Sequence, residues 1–525
     1  MNATATRSPA LTAYGPFAAI LKNVTSNWAA LLVNVLISFF LAPIVVNSLG
    51  SVYYGIWTLL MQFTGYLWLF DFGVRESVIK YVAQYHASGE REELEATVRT
   101  AISVYTVVSL AALVAVVLLS ASIPYVFNIP PDAVSTARIS AFLTGATVAQ
   151  SFLSNVFVGV LMGLQRFYLV ARTGVLLSLI RAAATYALLT WGYGIIALSL
   201  LHLALSLASS VLVFQLCRVH LPAVPLRPVR PTGAEVTKLL NYGKYVLLLN
   251  IGDKIVFATD AIVIGMFLPI SALTPYAIAG TLIGHMRSVV RAMASIFNPL
   301  TSSLQTEQGD RFLAQVVQTG GKAAMVVGLP LCIGFITLGE RFVTLWMGDT
   351  YAATAGLIMT VLSIGYIVGL PYNTILAVLL GLGAHRAVAV LRIVEGAANL
   401  GLSIALISAY GLVGVAAGTA VPHVIVVGLV LPATLPKLFP ISLRDYYVAV
   451  YVRPLAASVP FWIACWLVER VVRPGDLLSF LAWGVLSLVA YVVPCWLVAL
   501  TGAERAHVSE AILRRVPRVR PVHAA

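Results

Sequence analysis

Five cations sit in segments otherwise apolar enough to cross a membrane: Lys22, Arg75, Lys254, Arg287 and Arg291. Burying a charge at bilayer depth costs several kcal/mol, so such residues face a wet cavity or a partner and mark a pathway by default. Arg287 and Arg291 are one helical turn apart, with Gly284 and Asn298 continuing their face. Paired guanidiniums can grip a phosphate bidentately, which an ammonium cannot do. Counting from Tyr276 at about 1.5 Å per residue puts Arg287 roughly 17 Å deep, near the bilayer midplane. The acidic residues that could balance these charges are fewer: Asp71, Asp253 and Asp260. A surplus of cations predicts a positive lumen and an anionic passenger.

The other polar groups leave alternatives open. Asn250, Asp253 and Asp260 fall on one stripe of a helix, with Lys254 alongside. Two carboxylates and an amide could coordinate Na⁺ or relay a proton. They could equally serve as counter-ions for Arg287 and Arg291, which is the favoured reading. Asp71 and Arg75 are spaced i, i+4, as are Glu76 and Lys80, so an intrahelical Asp71–Arg75 pair would neutralise itself. Even a paired Arg75 keeps spare donors for a second anion. Lys22 shares a face with Ser26 and is either a snorkelling lysine or the inward mouth of the cavity. Arg392, Glu395 and Asn399 share another face, and Glu395 is expected to pair with Arg392. Arg392 and Arg172 read as cytoplasmic-end cations; Arg181 follows Arg172 on the same helix. His202, His285 and His423 read as hydrogen-bonded core residues.

These side chains need membrane-spanning helices to hold them. Hydrophobic residues make up 60% of the 525, charged residues 10%, and the mean hydropathy is +0.93. A soluble domain carries roughly 25% charged residues. The chain has room for about a dozen or more spans of roughly 20 residues. Apolar runs and polar breaks predict an all-α polytopic protein with about 14 helices, at 17–46, 54–84, 97–123, 133–164, 169–192, 195–218, 240–268, 274–304, 315–345, 353–383, 386–409, 412–434, 447–470 and 477–501. The first of these is too long for a signal-peptide core. Lys and Arg crowd one set of alternating loops, around Arg166 and Arg172, Arg218 to Lys238, Arg386 and Arg392, and Lys437 to Arg453. The positive-inside rule then puts both termini in the cytoplasm.

Two internal repeats run at an offset near 220 residues. The run Gly163-Leu-Gln-Arg166 leading to Tyr193-Gly194 matches Gly381-Leu-Gly383-Ala-His-Arg386 leading to Tyr410-Gly411, and the Tyr54 helix with Arg75 matches the Tyr276 helix with Arg287 and Arg291. An even number of helices between copies makes the repeats parallel. The expected organisation is a lobe of six helices at 1–218, a cytoplasmic linker at 219–239, a second six-helix lobe at 240–435, two appended helices at 436–501 and a basic tail at 502–525. The net charge of +13 belongs to these inward loops and to anionic lipid heads rather than to a nucleic-acid partner. The chain carries no phosphate-binding loop, no zinc-protease motif and no nucleophile elbow, so a transporter is expected and no enzyme. No cofactor or metal site is expected beyond a coupling Na⁺ or H⁺. Cys217, Cys332, Cys465 and Cys495 have neither metal-ligand nor disulfide spacing and read as core or lipid-facing residues.

Leu49-Gly50, Tyr54-Gly55-Ile-Trp57, Asp71-Phe-Gly73, Tyr81-Val82-Ala83 and Ser88-Gly89-Glu90, with Asp260, Gly265, Tyr276 and the two repeats above, carry a resemblance. The chain resembles the polysaccharide-transporter branch of the multidrug/oligosaccharidyl-lipid/polysaccharide exporter superfamily over most of residues 15–435. The resemblance implies a flippase in the cytoplasmic membrane of a bacterium. Its cargo would be a lipid-diphosphate-linked oligosaccharide repeat unit for O-antigen, capsule or exopolysaccharide. It implies two six-helix lobes rocking around a central cavity, membrane lipids as surroundings, and a polysaccharide polymerase and glycosyltransferases as partners. The alternative within the superfamily is a cation-coupled small-molecule or multidrug exporter, which would call for an acidic lumen.

Overall fold

A computed structural model describes residues 16–222, 224–294, 307–382, 385–502, 504–506 and 509; the side chains of 16–31, 242–246, 248–250, 257, 307–310, 380–381 and 385–386 lie outside that description. Every regular element among the described residues is helical. Hydrocarbon offers no partner to a backbone N–H or C=O, so apolar runs of this length must satisfy their hydrogen bonds internally. Ten helices among the described residues are long and apolar enough to cross a membrane. The chain is an all-α multi-pass membrane protein. Two of the ten candidates, Leu32–Asp71 and Ala387–Leu438, hold 40 and 52 residues, or about 60 and 78 Å of helix at 1.5 Å per residue, enough for two crossings each. Each is interrupted by one glycine outside helical geometry, Gly50 (φ 71°) and Gly411 (φ 54°). Both have positive φ, which glycine adopts at little cost. Ten is a number of candidate segments and does not fix the crossings at fourteen.

Contacts within the chain divide it into two units. The first, 1–277 with 392–397, contains α1 (Pro16–Leu67), α2 (Val74–Ser88), α3 (Arg91–Val126), α4 (Val134–Gly163), α5 (Phe167–Thr190), α6 (Ile195–His220) and α7 (Gly233–Phe267). Its core is built on close approach. Gly159 and Gly163 form a small-residue pair four apart on α4, and a Cβ at either would meet Val78 at 3.0 Å or Val82 at 2.8 Å. Glycine at these positions lets α2 and α4 pack backbone to side chain, as membrane helices do where no hydrophobic effect drives them together. The segment between α6 and α7 is tethered to α3. Ser103 donates to the Val229 carbonyl at 2.5 Å and accepts from the Val229 N–H at 2.8 Å. Thr232 and Glu235 then cap α7 reciprocally. The Thr232 N–H holds Glu235 below the usual carboxylate range.

The sequence predicts one helix from 54 to 84, and here the structure differs. A 3₁₀ turn at Trp68–Asp71 ends α1, and Phe72 (φ 50°) and Gly73 (φ 70°) are left-handed before α2 begins. Asp71 and Arg75 are therefore not one turn apart on a common helix. Asp71 accepts from the Tyr105 hydroxyl, and Arg75 pairs with its neighbour Glu76 at 2.9 Å. The i, i+4 rule holds only for an unbroken helix.

The second unit, 278–391 with 398–525, is crossed by prolines and wide π turns. It contains α9 (Glu307–Met347), α10 (Asp349–Gly369) and most of α12 (His385–His423), with α11 (Tyr372–Gly381) between. α8 (Leu273–Ala294) begins in the first unit and continues into this one. A proline leaves the carbonyl four residues earlier without its donor. Pro330 does this to Val326, and the Tyr491 hydroxyl supplies the missing donor at 2.7 Å. Pro432 does it to Gly428, and the Tyr447 hydroxyl donates there at 2.6 Å. Tyrosines of the C-terminal helices thus mend proline-broken helices within this unit. Tyr491→Phe is expected to cost about 1–3 kcal/mol by leaving a half-buried acceptor unmet. The Pro330→Ala/Tyr491→Phe double variant restores an N–H and should recover most of that loss. Thermal unfolding in detergent measures both, and equal losses in single and double variants would contradict this account.

Lys322, 4% exposed in the middle of α9, pairs with both oxygens of Glu504 at 2.8 Å. Burial pushes Glu504 up, but Lys322 and the Thr501 N–H and hydroxyl outweigh it and hold it below its ordinary value. All four cysteines are buried and free.

Candidate functional site

The polar groups predicted from sequence fall into three clusters, two in the first unit and one in the second. The first surrounds the break before α2. It comprises Asp71 with Tyr105, and Arg75 with Glu76, whose side chains are 38% and 33% exposed. Arg75 is held by one acid and keeps an open edge.

The second cluster lies along α7. Lys254 directs its Nζ at Gly65 of α1, where an added Cβ would stand only 3.0 Å away. Gly65 makes the room that the ammonium occupies. Lys254 is absent from the ion pairs among the described residues. The Tyr66 hydroxyl donates to the Lys254 carbonyl at 3.3 Å and bonds the Thr259 hydroxyl at 2.9 Å. Asp260 is buried and accepts from the Tyr276 hydroxyl. Asp253 accepts twice from Arg392, at 2.9 and 3.1 Å. Arg392 in turn donates to Glu395 at 2.6 Å, as the i, i+3 spacing predicts.

Arg392 is therefore a buried, paired cation and not a solvent-facing one. It is 3% exposed and Glu395 is fully buried, while the Asp253 side chain stays 45% exposed. The sequence reading favoured Asp253 as a counter-ion for Arg287 and Arg291; the structure gives it Arg392 as its partner. Two glycines make this approach. A Cβ on Gly252 would stand 2.6 Å from the Arg392 Cβ, and one on Gly396 would stand 2.5 Å from Ile255. A glycine beside each acid, Gly252 before Asp253 and Gly396 after Glu395, was the signal in the sequence for a helix contact here.

The third cluster is on α8. The Arg287 guanidinium lies 5.5 Å from the centre of the Tyr366 ring, a cation–π contact. Arg291 is exposed and absent from the ion pairs among the described residues. Lys22 and Asn250 are on α1 and α7, but their side chains lie outside the described residues, as does Asn298 altogether. No group of three or more His, Cys, Asp or Glu suited to a metal occurs among the described residues. The carboxylates each accept from a tyrosine or an arginine, an arrangement that fixes their position and neutralises or shares their charge.

Comparison with known proteins places this architecture. Residues 49–355 match the model of a family described as polysaccharide biosynthesis protein. An uncharacterized membrane protein of Bacillus subtilis, EpsK, is 22% identical over 490 residues, 92% of this chain and 96% of its own. The probable low-salt glycan biosynthesis flippase Agl15 of Haloferax volcanii is 23% identical over 191 residues, 36% of this chain and 40% of its own. The lipid II flippase MurJ, in an inward closed conformation, shares the fold with a TM-score of 0.65 at 16% identity, covering 94% of this chain and all of its own. The family-model match bears out the polysaccharide side of the resemblance, and the flippase MurJ shares the fold. The chain belongs to the polysaccharide biosynthesis protein family.

Proposed function

We propose that the chain is a flippase for a lipid-diphosphate-linked oligosaccharide. It moves a repeat unit across a bacterial cytoplasmic membrane for surface polysaccharide synthesis, by alternating access around a cationic cavity. The observation that carries this reading is a set of cations on three helices: Arg287 and Arg291 one turn apart on α8, Arg75 at the α2 break, and Lys254 on α7, which joins no ion pair among the described residues. A diphosphate must shed its water to cross hydrocarbon, and guanidiniums replace that hydration with charge-assisted hydrogen bonds. Family membership supplies the pathway, and the names of Agl15 and MurJ supply the reaction class. In this reading no bond is made or broken, the lipid tail stays in the bilayer, both termini face the cytoplasm, and polymerase and glycosyltransferases act before and after.

Two sources could drive the step. Membrane potential acts on a cationic lumen at about 2.3 kcal/mol per charge per 100 mV. Asp71, Asp253, Asp260 and Glu395 could couple Na⁺ or H⁺ if their tyrosine and arginine partners let go. The small-molecule exporter reading needs free carboxylates for organic cations, and the engaged state of these four acids weighs against it. A deletion strain tests the choice. Loss of a surface polysaccharide with accumulation of its lipid-linked precursor, restored by the wild-type gene, is the expected result. Normal polysaccharide with altered drug tolerance would overturn it.

A further inference from the structure

A cavity of about 260 Å³ lies wholly within the first unit, walled by α1, α5 and α6. Its polar lining is Asn34 and Trp57 from α1, Ser178, Arg181 and Thr185 from α5, and His202 from α6. Ser178, Arg181 and Thr185 recur at i, i+3 and i+7, so they form one stripe of α5. His202 is held edge-on against Trp57, with ring centroids 5.1 Å apart at 82°. The remaining wall is aliphatic, including Leu41 and Leu198. Among the described residues no carboxylate lines the cavity and Arg181 joins no ion pair.

Arg181 lies nine residues from the nearer end of α5, about 14 Å at 1.5 Å per residue, too deep to snorkel to the interface. A guanidinium kept at that depth beside hydroxyls, an amide and an imidazole, with no acid among them, is a group waiting for an anion. From sequence His202 reads as a core residue and Arg181 as a companion of Arg172 on its helix; the fold makes both His202 and Arg181 cavity wall. A cavity of this size has room for several waters or for a phosphate group. The aliphatic wall suits the first carbons of a lipid tail.

We propose that this cavity is an anion site that takes a phosphate group, with Arg181 as its fork and Ser178, Thr185, Asn34 and His202 as surrounding donors. It deepens the flippase reading by adding a second phosphate station in the first unit, and rests on that reading for its role but not for its occupancy.

Native mass spectrometry of the purified full chain tests it without any transport assay. The background is Arg287→Ala/Arg291→Ala, which removes anion binding at α8. The probes are a polyprenyl phosphate, inorganic phosphate, and an uncharged polyprenol as control. Binding of a phosphate-bearing probe is expected, weakened at least about tenfold by Arg181→Gln and partly retained by Arg181→Lys. Binding of the polyprenyl phosphate alone assigns a lipid-borne phosphate, and binding of inorganic phosphate as well assigns a free anion. No phosphate adduct with either probe, or adducts that ignore Arg181→Gln, would overturn the site and leave the α8 reading intact.

Discussion

Arg287→Ala/Arg291→Ala is expected to abolish surface polysaccharide and to leave its lipid-linked precursor in the inner leaflet, at unchanged protein level. A hydrogen bond to a charged group is worth about 1.5–3 kcal/mol, so each arginine should account for roughly 10- to 100-fold in transport, multiplied if the two act independently. Lysine substitutions should fall between wild type and alanine, because lysine keeps the charge and loses the fork that matches a phosphate. Arg287 rests on the Tyr366 ring and Arg291 is exposed, so truncating them opens no core. The transport defect should therefore appear without a stability defect. Complementation of the deletion strain, scored by polysaccharide, precursor and membrane abundance, checks all three.

Arg392→Ala should do the reverse and fail first as a folding defect. It removes the partner of Glu395, whose side chain is 1% exposed, and breaking a buried pair in this way costs about 3–5 kcal/mol. Asp253 also loses its partner, but its open side chain stays hydrated at less cost. The Arg392→Met/Glu395→Leu variant removes both buried charges and is expected to fold nearly as well as wild type, since well-packed apolar replacements of buried ion pairs are often neutral or stabilising. Thermal unfolding in detergent separates the two variants. Transport by the paired replacement then assigns the cluster's role. Activity near wild type makes it structural, and a stable but inactive protein makes Asp253 and Glu395 part of ion coupling.

Much of this protein was legible before its fold. The hydrocarbon solvent permits only helices here, so the apolar runs gave the class and most boundaries. Charges in those runs gave the candidate site. What the sequence could not carry was local chirality and long-range pairing. The break at Phe72-Gly73 ends a helix that periodicity alone would continue, and it turns an apparent Asp71–Arg75 pair into two separate contacts. The Asp253–Arg392–Glu395 cluster joins residues 139 positions apart. Only the glycines flanking those acids hinted at it. Arg181 and His202 look like scattered polar residues until α5 and α6 bring them to one wall. The tyrosine–proline matches at Tyr491 with Pro330 and Tyr447 with Pro432 follow a simple rule, the orphaned carbonyl four residues back, but only the fold names the donor.

The most direct test of the central claim is reconstituted flipping. The purified chain is placed in proteoliposomes holding a fluorescent polyprenyl-diphosphate oligosaccharide in one leaflet, and the label's exposure to an impermeant quencher is followed with time. The account predicts that wild type equilibrates the label between leaflets, that Arg287→Ala/Arg291→Ala does not, and that a labelled zwitterionic phospholipid stays where it was placed. Equal rates for wild type and the double variant, or no movement of the diphosphate lipid by wild type with or without a membrane potential or Na⁺ or H⁺ gradient, would contradict it.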